Sequence, residues 1–375
     1  MKHKRIKFGF SIIGIFILVG LAYFLFSQKG VEDAKTIQLI SSDPYQPKSY
    51  LVYTDEAGKF IGKDSFSKGK GVGVSGVKQV GNQVYFDSYP SQSTVSSYSY
   101  ERHSLDNLGT VAGQYDIINP YSESLVAILN HGYTELGYGS GICYLASEWI
   151  CHINNDGDFR IVNGVVFKEK LYVHTLASFL EVNPEEKIKV YDMSFNLLDE
   201  VNVSDLGLNV SNVTFYPYNN RLYLLGSARY TNYFSIIQMN EALEVVETID
   251  YPGLTTEERT FSSDYSYFEQ SKGKLYVELK YEKETDSVQY VEDNVLLKLD
   301  FDALNDERFE FMEIGNSSVR GINFETDTIF IQPRKESGSP INHISLYTTD
   351  FEFKEVIEIE QFNQQSPTLV DHIES

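Results

Sequence analysis

Residues 170–200 read KLYVHTLASFLEVNPEEKIKVYDMSFNLLDE, and this stretch decides the fold because its pattern recurs along the chain. It predicts a strand at 170–173, a polar loop, a second strand at 187–191, a tight turn at 192–196 and a third strand. The same order is found at 221–240 and again at 274–300. A repeat of this kind is sought before any local assignment, because it sets the architecture of the whole chain.

Seven copies of the unit can be placed between residue 36 and the end of the chain. Their first strands are centred near residues 38, 85, 126, 172, 223, 276 and 330. The spacing is roughly 40–50 residues and carries only strand signals, which is typical of propeller blades rather than helical solenoids. The sequence therefore predicts an all-β fold, a seven-bladed β-propeller with four-stranded antiparallel blades, over residues 36–375.

A fourth strand completes most copies. Short apolar segments before six of the copies supply an innermost strand, but the first copy at 36–61 has none before it. The candidate for that place is the C-terminal segment 366–373. We therefore expect the first blade to be closed by the C-terminal strand, which removes two exposed sheet edges.

The N-terminus predicts a membrane anchor. Residues 1–7 are basic, residues 8–26 contain no charge, and residues 27–35 form a short polar tether. Nineteen apolar residues just span a hydrocarbon core of roughly 30 Å, and a basic flank stays cytoplasmic. A cleaved signal peptide is the alternative, but residues 23–27 offer no small-x-small cleavage site. We expect a single-pass cell-membrane protein with its N-terminus cytoplasmic and its C-terminal domain extracellular.

Composition excludes some partners. The net charge is −22, although residues 1–29 carry basic residues and no acid, so the body is more acidic still. Such a surface repels nucleic acid. Aromatic residues make up 14% of the chain, which is ample for a strand-rich core.

With the innermost strand counted as the first of each blade, the strand at 170–173 is a second strand and the strand at 187–191 is a third strand. The loops joining second and third strands are predicted to be long and to gather on one face. They are expected at 41–48, 87–96, 129–147, 174–186, 226–233, 279–293 and 333–342. Loop-built faces commonly carry function, and Tyr supplies rigid contact area with a polar tip. The binding candidates are Tyr89, Tyr133, Tyr138, Tyr230, Tyr233, Arg229 and Arg334. The alternative is structural: the rings would cover the loops' own apolar clusters, and the arginines would pair with nearby acids.

The two cysteines, Cys143 and Cys151, favour a disulfide outside the membrane. Two buried thiols or a redox pair are the alternatives. With two Cys and seven scattered His, no zinc-ligand spacing is present, and no motif indicates a cofactor. Polar residues of the predicted inner strands could line a channel: Lys78, Asp116, Asn163, Thr214, Tyr267, Asn323 and Asp371.

The unit of aliphatic-Tyr-aliphatic, loop and aliphatic-x-aliphatic-Asp/Asn-x-x-aromatic resembles the seven-bladed propellers of bacterial extracytoplasmic proteins, including the quinoprotein-like and lactonase-like classes. The resemblance implies the architecture alone, because Trp149 is the only tryptophan and the regular docking motifs of quinoproteins are absent. Our first hypothesis is a non-enzymatic membrane-tethered module that binds a protein, peptide or glycan ligand. A propeller hydrolase or lyase for a sugar or lactone, and a scaffold of an envelope complex, are the alternatives.

Overall fold

The computed structural model describes the strands of the repeat region and part of their connections. The described residues lie between 36 and 373, with gaps at 42–48, 56–58, 67–71, 81–82, 89–93, 100–103, 111–113, 120–121, 123, 135–136, 147–148, 155–158, 178–184, 207–210, 228–233, 252–259, 284–290, 304–308, 325, 334–342 and 359–367. The predicted tail, anchor and tether at 1–35 lie outside them. Within the described part, no helix is long and apolar enough to cross a membrane.

The described strands form seven sheets, each of four antiparallel strands. We number the sheets in chain order. Sheet 1 has the order β28-β1-β2-β3, with β1 (Thr36–Ser41), β2 (Ser49–Asp55), β3 (Phe60–Phe66) and β28 (Thr368–Ile373). Sheet 2 contains β4 (Val72–Val80), β5 (Gln83–Ser88), β6 (Thr94–Ser99) and β7 (Ser104–Thr110). Sheet 3 contains β8 (Gln114–Asn119), β9 (Val126–Thr134), β10 (Gly137–Leu145) and β11 (Trp149–Asn154).

The other four sheets are likewise built from consecutive strands. Sheet 4 contains β12 (Phe159–Phe167), β13 (Lys170–Ala177), β14 (Glu186–Asp192) and β15 (Leu197–Asn202), followed by a 3₁₀ turn at Val203–Leu206. Sheet 5 contains β16 (Ser211–Tyr218), β17 (Arg221–Ser227), β18 (Phe234–Met239) and β19 (Val245–Tyr251). Sheet 6 contains β20 (Thr260–Glu269), β21 (Lys274–Lys283), β22 (Val291–Asp300) and β23 (Phe309–Gly315). Sheet 7 contains β24 (Ser317–Asn323), β25 (Thr328–Pro333), β26 (His343–Tyr347) and β27 (Phe353–Glu358).

Two loop predictions were wrong: the predicted loop 279–293 shrinks to 284–290, because β21 continues to Lys283 and β22 begins at Val291. The larger difference lies in sheet 3. Residues 129–147 were expected to form a long loop, but β9 continues to Thr134 and β10 begins at Gly137, so only a short connection separates them. The segment is rich in glycine, which is disfavoured in strands and therefore resembles a loop in the sequence. Continuous antiparallel pairing of β9 with β10 overrides that preference.

Neighbouring sheets pack against one another through their first strands. In the described part, β12 contacts β10 and β16, and β20 contacts β17 and β24. Strand β28, which pairs with β1, contacts β24 of sheet 7 and β4 of sheet 2. Successive sheets therefore contact each other within the described part of the chain.

The Tyr of the repeated aliphatic-Tyr-aliphatic triplet makes the contact between sheets. Tyr223 of β17 stacks on Phe301, which follows β22 of the next sheet, with ring centroids 4.2 Å apart. Tyr276 of β21 meets Phe351 of sheet 7 edge-to-face at 6.3 Å. Tyr172 of β13 shares one buried cluster with Leu243 of sheet 5. The second strand of one sheet therefore packs on the third-to-fourth hairpin of the next.

Those hairpins are held by their own first residue. Asp192 Oδ1 accepts hydrogen bonds from the backbone N–H groups of Ser194 and Asn196, both at 2.8 Å. Hydrogen bonds from the side chain and backbone of Asn196 lower the pKa of Asp192 below its usual value. Asn240 and Thr348 accept backbone bonds in the same way in sheets 5 and 7. This is the side-chain turn for which Asp, Asn and Thr are favoured.

Each such turn places an apolar residue in the left-handed region and points it at the preceding sheet. The φ angles are 62° at Phe195, 58° at Leu243 and 66° at Phe351. A positive φ is uncommon for a bulky side chain. The burial of Leu243, and the ring contact of Phe195 with Tyr144 at 5.8 Å, offset this cost.

Polar groups reinforce the contact between sheets. The Tyr144 hydroxyl donates to the Met193 carbonyl at 2.6 Å, and the Tyr276 hydroxyl donates to Thr349 O at 3.2 Å. Lys298, 5% exposed, donates to Asp350 of sheet 7 at 2.7 Å, and this bond lowers the pKa of Asp350. Burial raises the pKa of Tyr172 to about 12, so that buried ring stays neutral.

We expect Phe301→Ala to destabilise the protein by about 3–5 kcal/mol, because it removes a buried aromatic ring from the sheet 5–sheet 6 contact. The matched control is Phe311→Ala in the same sheet, where the ring is 55% exposed and the expected change is within about 0.5 kcal/mol. Urea unfolding measures both. Equal stability of the two variants would contradict the packing described above.

Candidate functional site

The candidate site is the face formed by the connections between second and third strands. In sheet 4, β12 begins at this face, β13 ends there and β14 starts there, because antiparallel neighbours alternate in direction. The first-to-second and third-to-fourth hairpins lie at the opposite face. We call these two faces the long-loop face and the short-hairpin face.

Five of the predicted binding residues lie outside the described residues: Tyr89, Arg229, Tyr230, Tyr233 and Arg334. Their places are the connections 89–93, 228–233 and 334–342, each of which joins a second strand to a third. Tyr133 and Tyr138 lie within β9 and β10, directly opposite each other in the register. The backbone thus places both at the end of the β9–β10 hairpin rather than in a long loop.

A buried histidine lies near the long-loop end of sheet 4. His174 is 1% exposed, and its Nε2 lies 3.1 Å from Glu186 Oε2 on the neighbouring strand. Its Nδ1 is buried and has no hydrogen-bond partner in the described part of the chain. The pair joins the end of β13 to the start of β14, the two strand ends that carry the connection 178–184.

A buried carboxylate occupies the corresponding place in sheet 6. Glu278 is fully buried, and its Oε2 accepts a hydrogen bond at 2.9 Å from the backbone N–H of Val319 in sheet 7. Asn294 donates to Glu278 Oε1 at 3.4 Å and to the Ser317 carbonyl at 2.5 Å. A buried carboxylate needs such donors, so this cluster ties β21 and β22 of sheet 6 to the start of β24 in sheet 7.

Sheet 7 has a third buried polar side chain at this level. Gln332 is 1% exposed, and its Oε1 accepts a hydrogen bond from Arg320 Nε at 2.9 Å. Arg320 is the extra residue of a β-bulge in β24, between Val319 and Gly321 in the register. Bulges redirect a side chain locally. Here the redirected guanidinium meets the amide of the second strand.

His174, Glu278 and Gln332 share one place in the repeat. Each directly follows the aliphatic-aromatic-aliphatic triplet of its second strand. In the sequence, the signal that could have identified them is a polar residue directly after an apolar run, which indicates a buried hydrogen bond. His174 and Gln332 fix strand ends at this face, whereas Glu278 acts within β21, which continues to Lys283.

Three of the side chains predicted to line a channel form hydrogen bonds within the protein. Asn163 Oδ1 accepts from Gly164 N–H at 2.7 Å, and Asn323 Oδ1 accepts from Thr326 N–H at 2.9 Å. The Tyr267 hydroxyl donates to Val319 O at 3.3 Å. Among the described residues, no group of three or more His, Cys, Asp or Glu side chains is arranged to hold a metal ion.

A disulfide joins Cys143 of β10 to Cys151 of β11. The two residues are directly opposite in the register, and Cys143 is fully buried. The bond fastens the outermost strand of sheet 3 to its neighbour. Disulfides of this structural kind persist in oxidising compartments.

No protein-family model and no curated protein matches the chain. Among solved structures, a prolyl endopeptidase is similar with a TM-score of 0.51 and 12% identity, over 86% of this chain and 50% of that one. Dihydro-heme d1 dehydrogenase NirN has a TM-score of 0.46 and 11% identity, over 90% of this chain and 68% of that one. Sqt1 of Saccharomyces cerevisiae has 0.45 and 9%, over 88% of each chain.

The similarity to the prolyl endopeptidase concerns the fold alone, because at 12% identity the functional residues cannot be carried over. Together with the seven four-stranded antiparallel sheets, it makes this chain an all-β, β-propeller-like protein.

Proposed function

We propose that this chain is a membrane-tethered, extracytoplasmic binding module that presents its long-loop face to a protein, peptide or glycan ligand. The observation that carries the proposal is the difference between the two faces. On the short-hairpin face, the described hairpins of sheets 4, 5 and 7 are fixed by their own Asp, Asn or Thr. On the long-loop face, sheets 4 and 7 have the longer connections 178–185 and 334–342, and the strand ends beside them are fixed by buried polar bonds. Rigid strand ends that carry variable loops are a common design for recognition.

We further propose that the seven sheets are the blades of one seven-bladed propeller over residues 36–375, closed by the C-terminal strand. Pairing of β28 with β1 supports this proposal, since the first blade would then contain strands from both ends of the chain. Closure of this kind leaves no unpaired inner strand.

The truncation Δ361–375 tests the closure. It removes β28 and uncovers β1, so we expect Tm to fall by on the order of 10 °C. The control truncation, Δ374–375, leaves β28 intact and should melt like the parent. An unchanged Tm for Δ361–375 would contradict the closed seven-blade arrangement.

The location outside the cell rests on the anchor at 8–26 and gains support from the Cys143–Cys151 disulfide. In this proposal residues 1–7 are cytoplasmic and residues 27–35 are the tether. The acidic net charge argues for a ligand other than nucleic acid.

The proposed ligand contacts are Tyr89, Tyr133, Tyr138, Tyr230, Tyr233, Arg229 and Arg334. Tyr rings provide large contact area at a low cost in conformational entropy, and Arg can hold a carboxylate in a two-pronged fashion. The ligand class these residues fit is a peptide or glycan with apolar surfaces and an acidic group.

A paired-variant screen tests the binding proposal. The detergent-solubilised chain is applied to a peptide array and to a glycan array, and each signal is compared between two variants. Arg229→Ala with Tyr230→Ser and Tyr233→Ser alters the long-loop face, and Leu197→Ser with Leu198→Ser alters the opposite face. We expect the first variant to weaken binding by about tenfold or more, because aromatic and Arg contacts dominate such interfaces.

The second variant should bind like the parent. A binding signal that is unchanged in the long-loop variant, or that falls equally in both variants, would contradict the assignment of ligand binding to the long-loop face. The Tm of each variant is measured first, so that misfolding is not read as lost binding.

A further inference from the structure

Exposed apolar side chains recur where the outermost strands begin. Of the eight large apolar residues exposed in the described part, Phe311 and Val356 lie further along β23 and β27, and six lie at the strand starts, between 37% and 59% exposed: Ile150, Leu197, Leu198, Val245, Val246 and Phe353. They belong to β11, β15, β19 and β27, the fourth strands of sheets 3, 4, 5 and 7. We call these six residues the short-hairpin rim. Single exposed apolar residues are ordinary, but repetition at one place in four sheets is not.

All six lie within the first two residues of their strands, directly after the third-to-fourth connection. In the register, Leu197 is opposite Tyr191, and Val245 is opposite Met239. Leu198 and Val246 are the extra residues of two bulges, between residues 197 and 199 and between 245 and 247. A bulge leaves its extra residue unpaired at the sheet edge. The rim is therefore built in the same way in successive sheets, at the short-hairpin face.

The chain enters the sheets at this same face. Thr36 is opposite Asp55 of the third strand and Ile373 of the first strand in sheet 1. Lys170 of sheet 4 is likewise opposite Asp192 and Phe167. Both residues open a second strand, and in sheet 4 that end is the short-hairpin end. The segment before Thr36 thus leaves from the short-hairpin face.

The tether limits how far this face can be from the membrane. Residues 27–35 separate the predicted anchor from β1, and a fully extended chain spans at most about 3.3–3.6 Å per residue. The start of β1 therefore lies within roughly 30 Å of the end of the anchor. The surface that an apolar rim on this face would meet is therefore the lipid bilayer.

We propose that the short-hairpin rim lies against the lipid bilayer, with its apolar side chains at the boundary between headgroups and acyl chains. The inference rests on the anchor of the proposed function and adds an orientation to it. The long-loop face then points away from the membrane, where a ligand can reach it. Apolar side chains inserted to this depth are a general mode of peripheral membrane contact.

The charged residues beside the rim indicate which lipid headgroups it would contact. Exposed acids follow the rim residues on the same strands, among them Asp199, Glu200 and Glu355. Glu200 is also paired with Lys187 at 3.3 Å. Carboxylates at a surface disfavour anionic headgroups. The bilayer that fits is therefore one with zwitterionic headgroups, such as phosphatidylcholine.

The test uses tryptophan fluorescence in the full chain, reconstituted in phosphatidylcholine nanodiscs with or without brominated acyl chains. Trp149 is the only tryptophan, so Trp149→Phe provides a silent background. Leu198→Trp reports from the rim. Glu185→Trp is the control, because Glu185 is exposed just before β14, at the long-loop face. Melting curves of both variants confirm folding.

We expect bromolipid to lower the Leu198→Trp emission about twofold or more and to leave the Glu185→Trp emission unchanged, since a docked rim residue reaches the headgroup–acyl boundary. Equal quenching of both reporters, or quenching of neither, would overturn the docking. Discs that lose the chain on washing would instead refute the anchor. A dimeric mass with an unquenched, blue-shifted Leu198→Trp signal would assign the rim to a second copy of the chain and also overturn the proposal.

Discussion

The contact between a second-strand Tyr and the hairpin of the next sheet is the interaction on which the rest of the structure depends. A four-stranded sheet alone has two large apolar faces, and each must be covered by a neighbour. Tyr223 on Phe301 and Tyr276 on Phe351 provide that cover in successive sheets. The left-handed turn that begins at Asp192, and its counterparts at Asn240 and Thr348, hold the packing residue in place. One repeated sequence motif thus specifies both partners of a repeated contact.

This arrangement gives the two faces different properties. The described hairpins of sheets 4, 5 and 7 are held by hydrogen bonds to their own Asp, Asn or Thr side chains, while sheet 6 presents Phe301 from the longer connection 301–308. The connections on the other face are not part of this contact. The buried hydrogen bonds of His174, Glu278 and Gln332 hold the second strands on that side in position. Structural constraint on one face thereby leaves the other face free for recognition.

The sequence was informative where one residue type serves one structural purpose in every copy. The Tyr triplets and the Asp-x-x-Phe turn predicted the strands and hairpins, because alternation and turn chemistry act locally. It misled at 129–147, where glycines in β9 and β10 resemble a loop until pairing between the strands is considered. The buried polar residues and the apolar rim were missed, since whether a side chain is covered depends on the neighbouring sheet. The loop residues Arg229, Tyr230 and Arg334 remain predictions.

A double-mutant cycle on Tyr223→Ala and Phe301→Ala measures whether the triplet Tyr of one sheet packs on the hairpin of the next. The two residues lie in different sheets, so only spatial contact can couple them. We expect a coupling free energy of about 0.5–1.5 kcal/mol in urea unfolding. The control pair, Tyr223→Ala with Phe351→Ala, joins sheets that are not adjacent and should be additive. Additivity of the Tyr223 and Phe301 pair within about 0.3 kcal/mol would show that this contact does not hold the two sheets together.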